Sequence, residues 1–177
     1  MMLGFRLMAL AFCIRDLLRP PIKVLEQVGI GSGMTVLDFG CGPGGFTIAA
    51  GILVGQRGHV YALDINPLAL RSVQRKARGK GLHNIETISP DRIHLIADRS
   101  VDVVLLYDVL HELDDLKKVL QDLRRVLKDN GILSVDDHHL CEDAIISKVG
   151  ADGLFRIRGR TGRIIHFAPV DRFGGRR

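Results

Sequence analysis

Tryptophan is absent from the 177 residues, and aromatic side chains are few. That scarcity does not suggest a stacking platform for single-stranded nucleic acid. Cysteine is also scarce. Cys13, Cys41 and Cys141 form no C-x-x-C pair, and their number is odd. Three free thiols in a reducing cytoplasm are the simplest account. No internal repeat and no low-complexity linker is present. The apolar run at residues 7–14 (LMALAFCI) falls far below the roughly 20 residues that a spanning helix needs. It has the length of a signal-peptide core, but Arg15, Asp16 and Arg19 stand where a small-residue cleavage site belongs. It reads instead as a helix ending before Pro20-Pro21. Being apolar nearly all round, that helix needs cover from the domain, a partner, a membrane surface or an apolar ligand.

What remains is an ordinary globular composition of one domain's length. Its charge is uneven. Residues 1–147 carry 17 Lys/Arg against 18 Asp/Glu, whereas residues 148–177 carry 8 against 2. The net charge of +5 therefore belongs to the C-terminal part. Such a segment could meet RNA or an anionic membrane surface, but the plainer reading, a solvated edge hairpin with a frayed basic terminus, is preferred. The expected organisation is an N-terminal helix at 1–20 that could act as a lid, a main domain at 21–170 and a basic tail at 171–177.

Short apolar runs alternate with helical patterns along the main domain, which argues for βαβ units and a parallel sheet. Residues 34–39 (MTVLDF) read as a strand and 45–54 (GFTIAAGILV) as an apolar helix. Residues 59–64 (HVYALD) follow as a second strand. Asn66 as N-cap with Pro67 at the first helical position starts a helix running to about Lys80. A third strand is expected at 84–88. Residues 101–107 (VDVVLLY) form a fourth, apolar enough to be buried on both faces. Helical spacing resumes at Leu113, and Asn130-Gly131 is expected to close that helix before a fifth strand at 132–135. One more short helix fits 141–149. Two final runs flank Thr161-Gly162 as an antiparallel hairpin.

In such a sheet, ligands sit beyond the carboxyl ends of the strands. The stretch LDFGCGPGGFT follows the first strand, with G-x-G-x-x-G spacing at Gly40, Gly42 and Gly45. Glycines let the backbone turn sharply and approach a ligand closely. The helix that follows offers free N–H groups to a carboxylate or phosphate. Asp38, two residues before the first glycine, alters the electrostatics. Its carboxylate repels a pyrophosphate and attracts an ammonium or sulfonium. Asp64 closes the second strand, 24 residues after Gly40. A carboxylate there accepts from both hydroxyls of a ribose, as in NAD or any adenosine ligand. Its plainer role is to cap the helix at Asn66.

Together these residues resemble the class I S-adenosylmethionine-dependent methyltransferases. VLDFGCGPGGFT is similar to that family's first motif, VYALDINP to its second-strand acidic motif and VDVVLLYDVLHEL to its fourth-strand motif. LRRVLKDNGILSVDD resembles its helix before strand five. The four segments occur in the family's order over about residues 25–140. LLYDVLHEL and RVLKDNG bring the likeness nearest to the ubiquinone/menaquinone-type C-methyltransferases. The resemblance implies a doubly wound, Rossmann-like, mostly parallel seven-stranded α/β sheet with a C-terminal antiparallel hairpin. It implies S-adenosylmethionine as cofactor. Asp38, Gly40 and Gly42 would face its methionine part, Asp64 its ribose, and Ile65 and Asp91 its adenine. Tyr107 would lie beside the methyl group. The alternative for Asp91 is that it simply caps the turn at 92–97.

S-adenosylmethionine brings its own activation, so the protein mainly aligns an acceptor and excludes water. A base is required only where the acceptor must lose a proton. His111 and Asp108, just past the fourth strand, are the candidates. The plainer reading is that His111 and Glu112 begin a helix and orient the loop. Residues 136–143 (DDHHLCED) read as a substrate-rim loop. Their His, Cys and carboxylates could ligate a metal, but adjacent histidines point apart on most backbones and the spacing fits no zinc pattern, so no metal site is assigned. The expected acceptor is a small molecule or a lipid-like quinone, and the expected location is the cytoplasm. Peripheral membrane contact is left open, as is oligomeric state. The ubiquinone/menaquinone-type enzymes carry extra substrate-covering segments after strand five, where this chain has only about 20 residues before its hairpin. RNA or protein methylation is the first alternative, although the Asn/Asp-Pro-Pro-aromatic motif of nucleic-acid amino methylation is missing after the fourth strand. A nicotinamide-dependent oxidoreductase and a non-catalytic binding protein are the others.

Overall fold

A computed structural model of the chain describes residues 20–170. The proposed lid at 1–20, save Pro20, and the basic tail at 171–177 lie outside the described residues. The chain forms two compact units, one ending at Ile93 and the other beginning at His94. Seven strands make one sheet in the order β3-β2-β1-β4-β5-β7-β6. The doubly wound expectation holds.

The first unit opens with α1 (Pro21–Val28), which the sequence reading passes over. Pro21 reads as a stop, yet its fixed φ also suits the first helical position, and here it starts a helix. β1 (Thr35–Phe39), α2 (Gly45–Val54), β2 (His59–Leu63), α3 (Pro67–Gly79) and β3 (Ile85–Ile88) follow. β1 pairs β2, and β2 pairs β3, both in parallel. The Asn66 cap forms as expected: its side chain accepts from the Leu68 N–H at 3.0 Å. Gly44 precedes α2 with a left-handed φ of 91°. A Cβ there would meet Val73 Cγ2 at 2.7 Å, so glycine lets the loop lie against α3. A 3₁₀ helix spans Pro90–Leu95.

The second unit contains β4 (Val101–Tyr107), α4 (Leu116–Val126), β5 (Leu127–Asp136), α5 (Glu142–Gly150), β6 (Phe155–Thr161) and β7 (Ile164–Pro169). β4 and β5 pair in parallel, while β7 runs antiparallel to both β5 and β6. β4 is almost wholly buried, as its continuous apolar run requires.

Three expectations shift. α4 starts at Leu116 rather than Leu113, because the Asp115 side chain caps it by accepting from the Lys118 N–H at 3.0 Å. Asn130-Gly131 does not close α4. The helix ends at Val126, and Leu127 is already extended and paired to Val101. The β4–β5 register slips just beyond that pair. Gly131 serves close approach there, since a Cβ would lie 2.8 Å from the Leu127 side chain and 3.0 Å from the Asp102 carbonyl. The hairpin turn is Gly162-Arg163, one residue beyond the expected Thr161-Gly162, because Thr161 pairs with Ile164. Gly162 takes the positive φ (59°) that a two-residue turn requires.

Candidate functional site

In the first unit, the candidate residues gather where β1 and β2 end. Asp38, the fourth residue of β1, is only 3% exposed. Its carboxylate accepts from the Thr47 hydroxyl on α2. After Phe39 the chain turns through Gly40 (φ 80°) and Gly42 (φ 50°), both in the region that favours glycine. The N–H groups of Gly40 and Cys41 both donate to the Leu63 carbonyl, at 2.8 and 2.9 Å. These bonds tie the loop to the end of β2.

Asp64 completes that tie. Oδ2 accepts from the Gly42 N–H and Oδ1 from the Asn66 N–H, each at 2.8 Å. The capping role is therefore real, but it does not exhaust the side chain. A carboxylate has about four lone-pair sites, so acceptor capacity remains for ligand hydroxyls. Ile65, the next residue, is 84% exposed. A large apolar side chain so open beside an oriented carboxylate suits the flat face of a heteroaromatic ring. The Cys41 thiol reports the local field. Burial pushes its pKa upward first, and the negative charges of Asp38 and Asp64 push it further. The loop is thus an electronegative environment, suited to a cation. Asp91 lies in the first turn of the 3₁₀ helix.

In the second unit, polar groups converge where β4 and β5 end. Tyr107 is 8% exposed, and its hydroxyl lies 2.8 Å from Ser134 Oγ on β5. Asp108 has a φ of 55°, uncommon for a residue with a Cβ. Its N–H donates to the Asp136 carbonyl at 2.7 Å. Oδ1 of Asp108 receives the His138 N–H at 3.1 Å and lies 2.7 Å from His138 Nδ1. Asp108 is thereby engaged with the loop after β5.

His111 has a different partner. Its Nδ1 lies 2.8 Å from Oδ2 of Asp137, and its own N–H donates to the same oxygen at 3.0 Å. Asp137 is 0% exposed, and its Oδ1 accepts from the His139 N–H at 3.0 Å. Burial alone would raise this carboxyl's pKa. Hydrogen bonds from the His111 ring and from the His139 and His111 backbones outweigh burial and hold it below the usual range. The Arg163 guanidinium anchors the same turn by donating to the Asp137 carbonyl at 2.9 Å.

The expectation that His138 and His139 point apart is corrected. Their ring centroids are 3.8 Å apart, and the His139 ring lies 4.1 Å from that of His111. The tight turn at Asp137, closed by its bond to the His139 N–H, folds the two rings onto one side. Among the described residues, no group of three or more His, Cys, Asp or Glu side chains could hold a metal ion. Among the same residues, no helix is long and apolar enough to cross a membrane.

Residues 136–143 are legible in the sequence as a rim loop, but the pairing of Asp137 with His111 is not. A carboxylate in a polar run beyond a buried strand was the available signal. Its partner, 26 residues earlier, was not readable from spacing.

Comparison with known proteins bears on the family and the fold. The sequence profile of a methyltransferase-domain family matches residues 30–154. A demethylmenaquinone methyltransferase of Geobacillus stearothermophilus is 34% identical over 62% of this chain and 47% of its own length. A ubiquinone/menaquinone biosynthesis C-methyltransferase of Shewanella sp. is 30% identical over 80% of this chain and 57% of its own. The chain thus spans about half the length of the curated relatives it matches. A solved SAM-dependent methyltransferase from Aquifex aeolicus superimposes with a TM-score of 0.74 at 27% identity, covering 85% of this chain and 90% of that one. The chain belongs to the methyltransferase-domain family and is similar to ubiquinone/menaquinone-type methyltransferases.

Proposed function

We propose that this chain transfers a methyl group from S-adenosylmethionine to a small-molecule or lipid-like, quinone-type acceptor. The observation that carries the reading is Asp64, a carboxylate fixed by the Gly42 and Asn66 N–H groups with acceptor capacity to spare. The cofactor fits the residues around it. Space is open over Gly42, where a Cβ would meet nothing within 4 Å. Ile65 offers an apolar face to adenine, and Asp64 accepts from the ribose hydroxyls. Asp91 accepts from the adenine amino group. Burial raises the Cys41 thiol first, and the negative charges of Asp38 and Asp64 that add to it also suit a sulfonium.

When bound, S-adenosylmethionine supplies a methyl group already activated by the charge on sulfur. The chain's own part is to hold it, exclude water and manage the acceptor's proton. His111 is the base in this reading. With Nδ1 held by Asp137, its Nε2 is the nitrogen left to take a proton. Glu112 Oε1 lies 3.6 Å from that nitrogen. Asp108 acts through His138 rather than directly. The acceptor class rests on what the relatives' names say they methylate.

Incubating the chain with methyl-labelled donor and a fractionated cell extract tests the reading. Label in the organic-soluble fraction supports it. The first alternative draws on Arg156, Arg158 and Arg160, all exposed on the edge strand β6. Label in RNA or protein with none in small molecules would establish that alternative instead.

A further inference from the structure

We propose that Asp137 is a positioning residue for methyl transfer: it fixes His111 in the tautomer that leaves Nε2 free to accept the acceptor's proton. The inference rests on the reading of His111 as base. Its starting point is a carboxylate that methyl transfer itself does not call for. Asp137 is 0% exposed, and an unpaired charge so placed is costly. It is retained with three donors directed at it: the His111 ring, the His111 N–H and the His139 N–H.

The geometry dictates the tautomer. Oδ2 of an ionised carboxylate only accepts, so His111 Nδ1, 2.8 Å away, must carry the proton. Neutral imidazole has one N–H, which leaves Nε2 as the lone-pair nitrogen. The second bond to Oδ2, from the His111 backbone, stops the ring and its main chain from moving independently. The His139 ring, 4.1 Å from that of His111, closes off one side. Other charged or titratable groups near His111 include Glu112, 3.6 Å from Nε2, His138, whose ring lies 6.4 Å away and is held by Asp108, and Arg163, which donates to the Asp137 carbonyl.

The acceptor's proton passes to Nε2 as the acceptor bonds to the methyl carbon. The carbon–sulfur bond breaks, and its electron pair stays on sulfur, which becomes neutral. The imidazolium, with Nδ1–H still on Asp137, is stabilised by a carboxylate that stays ionised. It then returns its proton to water.

Two measurements on the full chain test this. Nitrogen-15 NMR of labelled histidine, at a pH where His111 is neutral, should show His111 protonated at Nδ1 and bare at Nε2. In Asp137→Asn, only one amide oxygen remains for three donors, and no charge faces the imidazolium. With labelled donor and the extract fraction that takes up methyl, kcat should fall about 10-fold or more while KM and donor affinity stay within about twofold. A merely structural role would instead move donor affinity, KM and thermal stability together. A proton on Nε2 in the wild-type chain overturns the inference, as does a variant that turns over normally. Failure of the wider reading is distinct, because the wild-type chain would then place methyl in RNA or protein alone, or transfer none.

Discussion

Replacing Asp64 with Asn keeps the side chain's shape and removes its charge. In the folded chain the carboxylate accepts from Gly42 and Asn66, both at 2.8 Å. Asn offers one acceptor oxygen, so one of these bonds weakens and the remaining capacity for ribose hydroxyls drops. Hydrogen bonds to a charged group contribute about 1.5–3 kcal/mol, against about 0.5–1.5 for neutral pairs. Losing the charged character should therefore cost about 1–3 kcal/mol of S-adenosylmethionine binding, roughly 5- to 150-fold in Kd. Titration calorimetry reads this directly, with circular dichroism confirming that the variant is folded. Asn66→Ala separates the two roles of this corner. It removes the cap on Leu68, costing about 1 kcal/mol of stability, yet leaves the Asp64 carboxylate intact. Its cofactor affinity should stay within about twofold. Unchanged affinity in Asp64→Asn, or an equal loss in Asn66→Ala, would refute the ribose role.

Asp38→Asn should weaken S-adenosylmethionine more than S-adenosylhomocysteine, whose sulfur is uncharged, and equal losses in calorimetry would count against the sulfonium argument. Gly44→Ala forces a Cβ into Val73 at a φ of 91° and should cost about 2–5 kcal/mol in chemical denaturation. Gly79→Ala, on an open face of α3, should be neutral or stabilising by up to about 1 kcal/mol. The pKa of His166 is held below its ordinary 6.5 by burial and then by the Arg158 charge. Folding thus favours the neutral ring. The stability this contributes is present above pH 6.5 and declines as pH falls through the lowered value, a slope His166→Gln should flatten in denaturant midpoints taken from pH 8 to pH 5. The Asp137 carboxyl is held below its ordinary 3.8, so its contribution persists above that pH and is lost only in stronger acid.

What could be read from the sequence was local. LDFGCGPGGFT declares a strand, a glycine turn and a helix because φ freedom and apolar runs are properties of neighbouring residues. Asn66-Pro67 declares a helix start for the same reason. The boundary between α4 and β5 was hidden because the pairing of Leu127 with Val101 overrides the apparent stop at Asn130-Gly131. The hairpin turn moved by one residue because the partner strand sets register. The Asp137–His111 pair was hidden more deeply. It depends on two loops being delivered to the same place by β4 and β5, which one chain's spacing does not encode. Asp64 lies between these cases: its capping contact is local, but its bond to Gly42 spans 22 residues.

Titrating the chain with S-adenosylmethionine and, separately, with NAD and NADH is the most direct test of what the loop after β1 holds. Saturable binding of S-adenosylmethionine at one site per chain, with none of either nicotinamide nucleotide, is the expected result. Tight nicotinamide nucleotide binding without S-adenosylmethionine binding would contradict it.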